Sequence, residues 1–296
     1  MVHRTPSQLP NRNRRHWLIN SGALAVAGLI GLTRKSQAAG RIRVGMTPAF
    51  LHDQHSLLAE WRDFMAASLQ RPVEFVQRDS YRETMDLLRL EKLEFAWICD
   101  YPFLHLKQEV RLMAIPLYKG QPLYRSYLIV RKDNTQVSSM ADLAGSVFAY
   151  ADPYSNTGYL APRYEIRQLG HDPGSFFRKT FFTWSHRKVV EAVAGGLARG
   201  GAVDSYIWET LAHVEPALAA RTRVVSRSPE YGFPPFVSHR SVSAADFQQM
   251  QGHLLDMAKG DAGRRLLGRL YLDGFTTGSP ALYDGVAQMM RAFGEG

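Results

Sequence analysis

The sequence predicts an α/β fold built on an open sheet, and three stretches carry that expectation. From Arg41 to Cys99, strand-like and helix-like segments alternate in the order β-α-β-α-β. Phe95-Ala-Trp-Ile-Cys99 is a continuous apolar run of the kind found in buried parallel strands. Phe148 to Pro162 reads as strand, polar loop and helix start. In open sheets of this class, ligands bind beyond the carboxyl ends of the strands.

Each element follows from its pattern. Arg41-Ile-Arg-Val-Gly-Met46 alternates apolar and basic residues as a first strand, ending at Thr47-Pro48. Leu57, Leu58, Trp61, Phe64, Met65 and Leu69 recur at helical spacing after His55. Val73 to Val76 is a second strand and Tyr81 to Leu90 a second helix; Asp100-Tyr101-Pro102 lies at the end of the third strand. Met113 to Tyr118 and Tyr124 to Val130 are further strands, and Lys132-Asp133-Asn134 is a turn at which a second lobe begins. A short capped helix from Ser139 ends at Gly145, and Ser185 caps a helix that stops before Gly200-Gly201. Ala202 to Tyr206 is a strand end, Val224-Val225 and Phe233 to Ser238 return to the first lobe, and residues 244 to 293 read as two helices.

Charge is concentrated at one end. The 296 residues carry a formal charge of +9, with 36 basic residues and 27 acidic. Residues 1 to 38 hold six of the basic residues and no acid, which leaves the remainder at +3. No Lys/Arg block interleaved with aromatics follows residue 40, so nothing points to nucleic acid. Arg14-Arg15 precedes an apolar run from Trp17 to Leu32, too short for the roughly 20 residues of a bilayer span. Ser36-Gln37-Ala38 offers small residues for a signal peptidase. These features predict a twin-arginine-like export signal cleaved after Ala38, and a periplasmic location; an ordinary secretory signal or a retained anchor are the alternatives. The single cysteine, Cys99, fits a compartment that rewards paired cysteines or almost none.

The polar loop Ser155-Asn156-Thr157-Gly158 has two readings. The first N–H groups of a helix lack internal partners and sit at the positive end of its dipole, which suits an oxyanion. An ordinary N-capped helix after a tight turn uses the same residues.

Five motifs in order weigh between them. Asp152-Pro-Tyr-Ser-Asn-Thr-Gly-Tyr-Leu-Ala-Pro162, Trp184-Ser-His186, Ala202-Val-Asp-Ser205, Pro235-Phe-Val237 and Leu272-Asp-Gly-Phe275 together resemble the phosphonate-type (PhnD-like) periplasmic substrate-binding proteins of ABC importers. The resemblance runs over about residues 40 to 290 and implies a type II two-lobed fold with the ligand cleft between the lobes. It places lobe 1 at residues 39–130 plus 236–296 and lobe 2 at 131–235. It implies that Ser155, Asn156 and Thr157 grip a tetrahedral oxyanion where the family carries Ser-Thr-Ser. It also implies that His186 donates to the anion, that Tyr101 contributes an aromatic contact from the first lobe, and that Asp204 and Ser205 meet the ligand's other end. Pro234 stands where aminoalkylphosphonate binders carry an acid, so a smaller or uncharged-tail anion is expected.

Other residues keep plainer alternatives. Cys99 is a small core residue, a redox-sensing thiol or a soft ligand for a thiophilic oxyanion such as arsenite. His52 and His55 have the spacing of a metal pair but also of a polar loop, and no metal site is expected. Trp97, Trp184 and Trp208 read as core or cleft wall. Neither a nucleotide loop nor a nucleophile elbow appears, so neither an enzyme nor a cofactor is expected. The resulting reading is a monomeric periplasmic solute-binding protein serving an ABC permease. The alternative is the same fold signalling to a membrane sensor kinase.

Overall fold

The computed structural model describes residues 40–47 and 55–295. The export segment, its cleavage point after Ala38, and His52 and Asp53 lie outside the described residues.

The chain opens with β1 (Ile42–Met46), α1 (His55–Leu69), β2 (Val73–Gln77), α2 (Tyr81–Arg89) and β3 (Phe95–Trp97), in the expected alternation. The three strands are parallel, with Val44 between Phe75 and Phe95. Leu57, Leu58, Trp61, Met65 and Leu69 form the buried stripe that seats α1 on this sheet. Trp61 is the anchor: fully buried, it meets the rings of Phe75, Trp97 and Phe236 edge-on at 5.4–5.9 Å. Ser80 and Glu83 close a reciprocal capping box at the start of α2.

After α3 (Asp100–His105) and β4 (Val110–Leu117), β5 (Leu123–Tyr124) and β6 (Ser126–Arg131) carry the chain into a second sheet. There follow β7 (Val147–Tyr150), a single π-helical turn (Asn156–Leu160) running into α4 (Ala161–Gln168), β8 (Lys179–Phe182), α5 (His186–Ala194) and β9 (Gly200–Asp204). Then come α6 (Ser205–Val214), α7 (Pro216–Ala219) and β10 (Thr222–Arg227). The return passes through β11 (Tyr231–Gly232) to β12 (Phe236–His239), α8 (Ala244–Asp256), α9 (Asp261–Arg269), β13 (Gly274–Thr276) and α10 (Asp284–Ala292).

The first sheet has the order β13-β4-β12-β3-β1-β2 and the second β10-β6-β9-β7-β8. The two passages between them pair with each other, Tyr124 opposite Tyr231 and Leu123 opposite Gly232. This two-stranded ribbon is the connection between two sheet-centred lobes. Gly232 lies so close to the Tyr283 ring that an added Cβ would sit 2.8 Å from it, so the ribbon is packed tightly on the first lobe.

Three expectations change. Tyr124 to Val130 is not one strand: Tyr124 pairs in the ribbon and Ser126 pairs with Asp204 of the second sheet. The sheets therefore exchange near Arg125 and before Tyr231, so the expected lobe boundary at residue 130 falls inside a strand of the second sheet. Residues 244 to 293 hold three α-helices and a strand, because β13 is only three residues long and shows no period of its own.

Candidate functional site

Two helix starts meet at the seam between the lobes. Asp152, at the end of β7, accepts the backbone N–H of Tyr154 at 2.7 Å on one oxygen and that of Tyr81, the first residue of α2, at 3.1 Å on the other. An acid of the second lobe thus holds the helix start of the first. The reverse contact comes from Asp100, at the start of α3: its Oδ2 accepts from Asn156 Nδ2 at 2.8 Å.

The Ser155–Gly158 turn is built in layers. Ser155 Oγ accepts the Gly158 N–H at 3.0 Å, an N-cap bond, and lies 3.2 Å from His186 Nε2. His186 Nδ1 accepts the backbone N–H of Asp204 at 3.1 Å, which leaves the ring proton on Nε2 and makes that nitrogen the donor to Ser155. Burial pushes the His186 pKa down to about 3, so the ring is neutral. Ser155 Oγ therefore receives two N–H groups, and its own proton remains available to a further acceptor. Ser126 Oγ donates to the Thr157 carbonyl at 2.6 Å and fixes the turn to β6. Glycine is required at 158, where an added Cβ would lie 2.4 Å from Ala151 Cβ and 2.9 Å from His186 Cε1.

Ser155, Asn156 and Thr157 are fully buried, yet Thr157 Oγ1 and Asn156 Oδ1 have no hydrogen-bond partner among the described residues. Leaving a buried polar atom unpaired costs about 1–3 kcal/mol. Two such atoms on adjacent residues at a helix start make this turn the candidate ligand site.

The surrounding charges are acidic. Among the described residues no Lys or Arg is buried, whereas Asp100, Asp152 and Asp204 are. Asp100 Oδ1 takes hydrogen bonds from Tyr124 Oη at 2.8 Å, the Tyr101 N–H at 2.9 Å and Cys99 Sγ at 3.0 Å. Burial raises the Asp100 pKa to about 6 and these bonds hold it from going further. Asp204 Oδ1 accepts only the N–H groups of Tyr206 and Ile207, capping α6, and burial lifts its pKa to about 8.

The site residues expected from sequence divide. Ser155, Asn156, Thr157 and His186 come together, although His186 Nε2 is directed at Ser155 in this structure. Asp204 lines a small cavity of about 30 Å³ with Cys99, Tyr81, Trp97, Tyr206 and Phe233. Ser205 Oγ accepts the Arg125 N–H at 2.9 Å, beside the start of β6. Tyr101 departs most. Its hydroxyl donates to Glu295, and its ring lines an open groove of about 830 Å³ with His105, Tyr154, Arg163 and Trp184. The residues of a helix turn by about 100° each, and it is Asp100 that α3 aims at the loop. Trp97 is core and Trp208 half-buried, while Trp184 is 46% exposed in the groove.

Cys99 sits inside the seam. Its thiol faces the backbone N–H groups of Asn156 and Tyr101 as well as Asp100, but burial and the neighbouring carboxylate push its pKa up, so it is a protonated thiol. No cluster of three metal-ligating side chains occurs among the described residues.

Sequence reading had missed Asp100, Tyr124 and Asp152 as site-building residues. The available signal was an acid directly after a buried apolar strand, at Cys99-Asp100, and another at Ala151-Asp152.

Two sheet-centred lobes joined by a ribbon, with a helix-start turn buried at their seam, define the two-lobed type II periplasmic-binding-protein fold. Residues 44–283 match the family described as ABC transporter, phosphonate, periplasmic substrate-binding protein, and the chain belongs to that family. Solved structures share the fold. A binding-protein component of an ABC phosphonate transporter from Pseudomonas aeruginosa superposes with a TM-score of 0.78 at 20% identity, over 84% of this chain and 85% of that one. PhnD1 from Prochlorococcus marinus, in complex with methylphosphonate, gives 0.78 at 17% identity, over 86% and 98%. A histidine kinase sensor domain similar to periplasmic binding proteins gives 0.55 at 13% identity, over 78% and 95%.

Proposed function

We propose that this protein captures a small tetrahedral oxyanion of the phosphonate, phosphite or phosphate type in the cleft and delivers it to an ABC permease. The observation that carries the reading is the buried Ser155–Gly158 turn, with Thr157 Oγ1 and Asn156 Oδ1 unpartnered and the Ser155 proton left to donate. The hydroxyls of Ser155 and Thr157 and the positive end of the helix dipole supply the attraction; no buried cation among the described residues does so. His186 acts one step back, orienting Ser155, and is itself held by the Asp204 N–H. Tyr101, whose hydroxyl donates to Glu295, takes no direct part. Family membership favours delivery to an importer over the sensor-kinase reading. The chain would reach the periplasm through the twin-arginine-like segment, with cleavage after Ala38, and work as a monomer.

A thermal-shift screen of the purified protein against phosphate, phosphite, methylphosphonate, 2-aminoethylphosphonate, sulfate, arsenate and arsenite tests this. A ligand at 100 times its Kd adds about 2.7 kcal/mol to stability, a readily visible shift. Stabilisation by a phosphorus oxyanion is expected. A response to arsenite alone, abolished in Cys99→Ser, would replace the reading with a thiol-based one, and silence to every anion would remove it.

A further inference from the structure

We infer that the site selects a protonated oxyanion, one that donates a hydrogen bond from its own O–H to Asn156 Oδ1. This inference rests on the anion-binding reading above and specifies the ligand class within it.

The orientation of the Asn156 amide is dictated by its neighbours. Nδ2 lies 2.8 Å from Asp100 Oδ2 and 3.4 Å from Tyr124 Oη. The Tyr124 proton is already given to Asp100 Oδ1 at 2.8 Å, so toward Asn156 the phenol offers only a lone pair. Turning the amide over would set its carbonyl against a carboxylate and against that lone pair. The NH₂ group is therefore fixed toward the first lobe, and the carbonyl oxygen is left buried without a partner.

A carbonyl oxygen accepts and cannot donate. Against an oxyanion bearing no proton it would face another lone pair, an unfavourable contact between two negative ends. Against a P–O–H it makes an ordinary hydrogen bond. The residues on either side complete the pattern: Ser155, whose oxygen already receives two N–H groups, has a proton to give, and Thr157 Oγ1 is uncommitted. In sequence, two hydroxyl residues thus flank one fixed acceptor. No buried cation among the described residues is present to compensate a second negative charge on the ligand. At this position the family's hydroxyl residue can rotate to donate or accept, whereas the locked asparagine of this chain can only accept.

The decisive comparison is between methylphosphonate and methanesulfonate near pH 7, where Asp100 is mainly ionised and methylphosphonate mainly carries one proton, measured by isothermal titration calorimetry. Both are then monoanions of nearly the same shape, and they differ by one proton. Wild-type protein is expected to bind methylphosphonate about 100-fold or more tightly than methanesulfonate, since a site built to pair a hydroxyl strongly rejects the analogue lacking it. Asn156→Thr, with a rotatable hydroxyl, is expected to narrow that ratio by recovering methanesulfonate, and Asp100→Asn to narrow it by freeing the amide to turn. Equal affinity of the wild type for the two ligands would overturn the inference while leaving anion binding intact. A ratio unchanged in both variants would overturn the assignment to Asn156. Binding of neither ligand to the wild type, nor of any other anion in the screen, would remove the anion-binding reading itself.

Discussion

Ser80 and Ser155 begin helices on opposite sides of the same seam, and their outcomes differ. Ser80 is an N-cap whose oxygen accepts the Glu83 N–H at 3.3 Å while the Glu83 carboxylate returns to the Ser80 N–H at 3.1 Å, a closed exchange in contact with solvent. Ser155 is also an N-cap, but it is buried, its oxygen takes a second bond from a neutral histidine, and the two residues after it keep unpaired oxygens. One start is a complete local structure; the other keeps unmatched oxygens. The difference lies in burial and in unmatched hydrogen-bonding capacity, since a serine cap is common to both.

The strongest way to break the comparison is Gly158→Ala. The added methyl would overlap Ala151 Cβ at 2.4 Å and press on Ser155 Oγ at 3.0 Å, so the turn must move. Overpacking of this kind costs about 1–3 kcal/mol, and anion binding should be lost with it. Melting temperature and calorimetry on the same sample check both effects.

An intermediate effect is expected from pH. Asp100 and Asp204 have folded-state pKa values raised to about 6 and about 8, above the ordinary carboxylate value of 3.8. A raised carboxyl pKa means that the folded state holds the proton longer than the unfolded chain. Its contribution to stability is full below the unfolded value and is lost as pH rises through the folded one. In Asp204→Asn, which keeps a good N-cap for α6, the decline in urea midpoint between pH 4 and pH 8 should be shallower than in the wild type. An identical slope would mean that Asp204 is ionised without penalty.

Much of this was readable in advance, and the limits have physical causes. The β-α-β-α-β alternation and the strand-loop-helix at Phe148–Pro162 were legible because burial of one face imposes a period on several residues in a row. The break at Arg125 was hidden, because a strand that changes sheets keeps an apolar pattern on both sides of the change. Ser155, Asn156, Thr157 and His186, here proposed as the site, were singled out through a loop chemistry that resembles a family. Tyr101 was expected toward the ligand and instead meets Glu295 in this structure, because the face a residue presents at a helix start depends on where the helix begins, to within one residue. Asp100 and Tyr124 act across the seam on Asn156, 56 and 32 positions away in the chain, a separation that no local pattern reveals.

The smallest structural perturbation gives the most direct measurement. Ser80→Ala and Thr157→Val are compared by melting temperature and by titration with methylphosphonate or whichever phosphorus anion the screen selects. Ser80→Ala should lower stability by about 1 kcal/mol through loss of the cap and leave affinity unchanged. Thr157→Val keeps the side-chain shape and removes a hydroxyl that has no partner among the described residues, so stability should hold or rise while affinity falls roughly 10- to 100-fold, as expected for a hydrogen bond to a charged group worth about 1.5–3 kcal/mol. Unchanged affinity in Thr157→Val would contradict the central claim that this buried turn is the anion site.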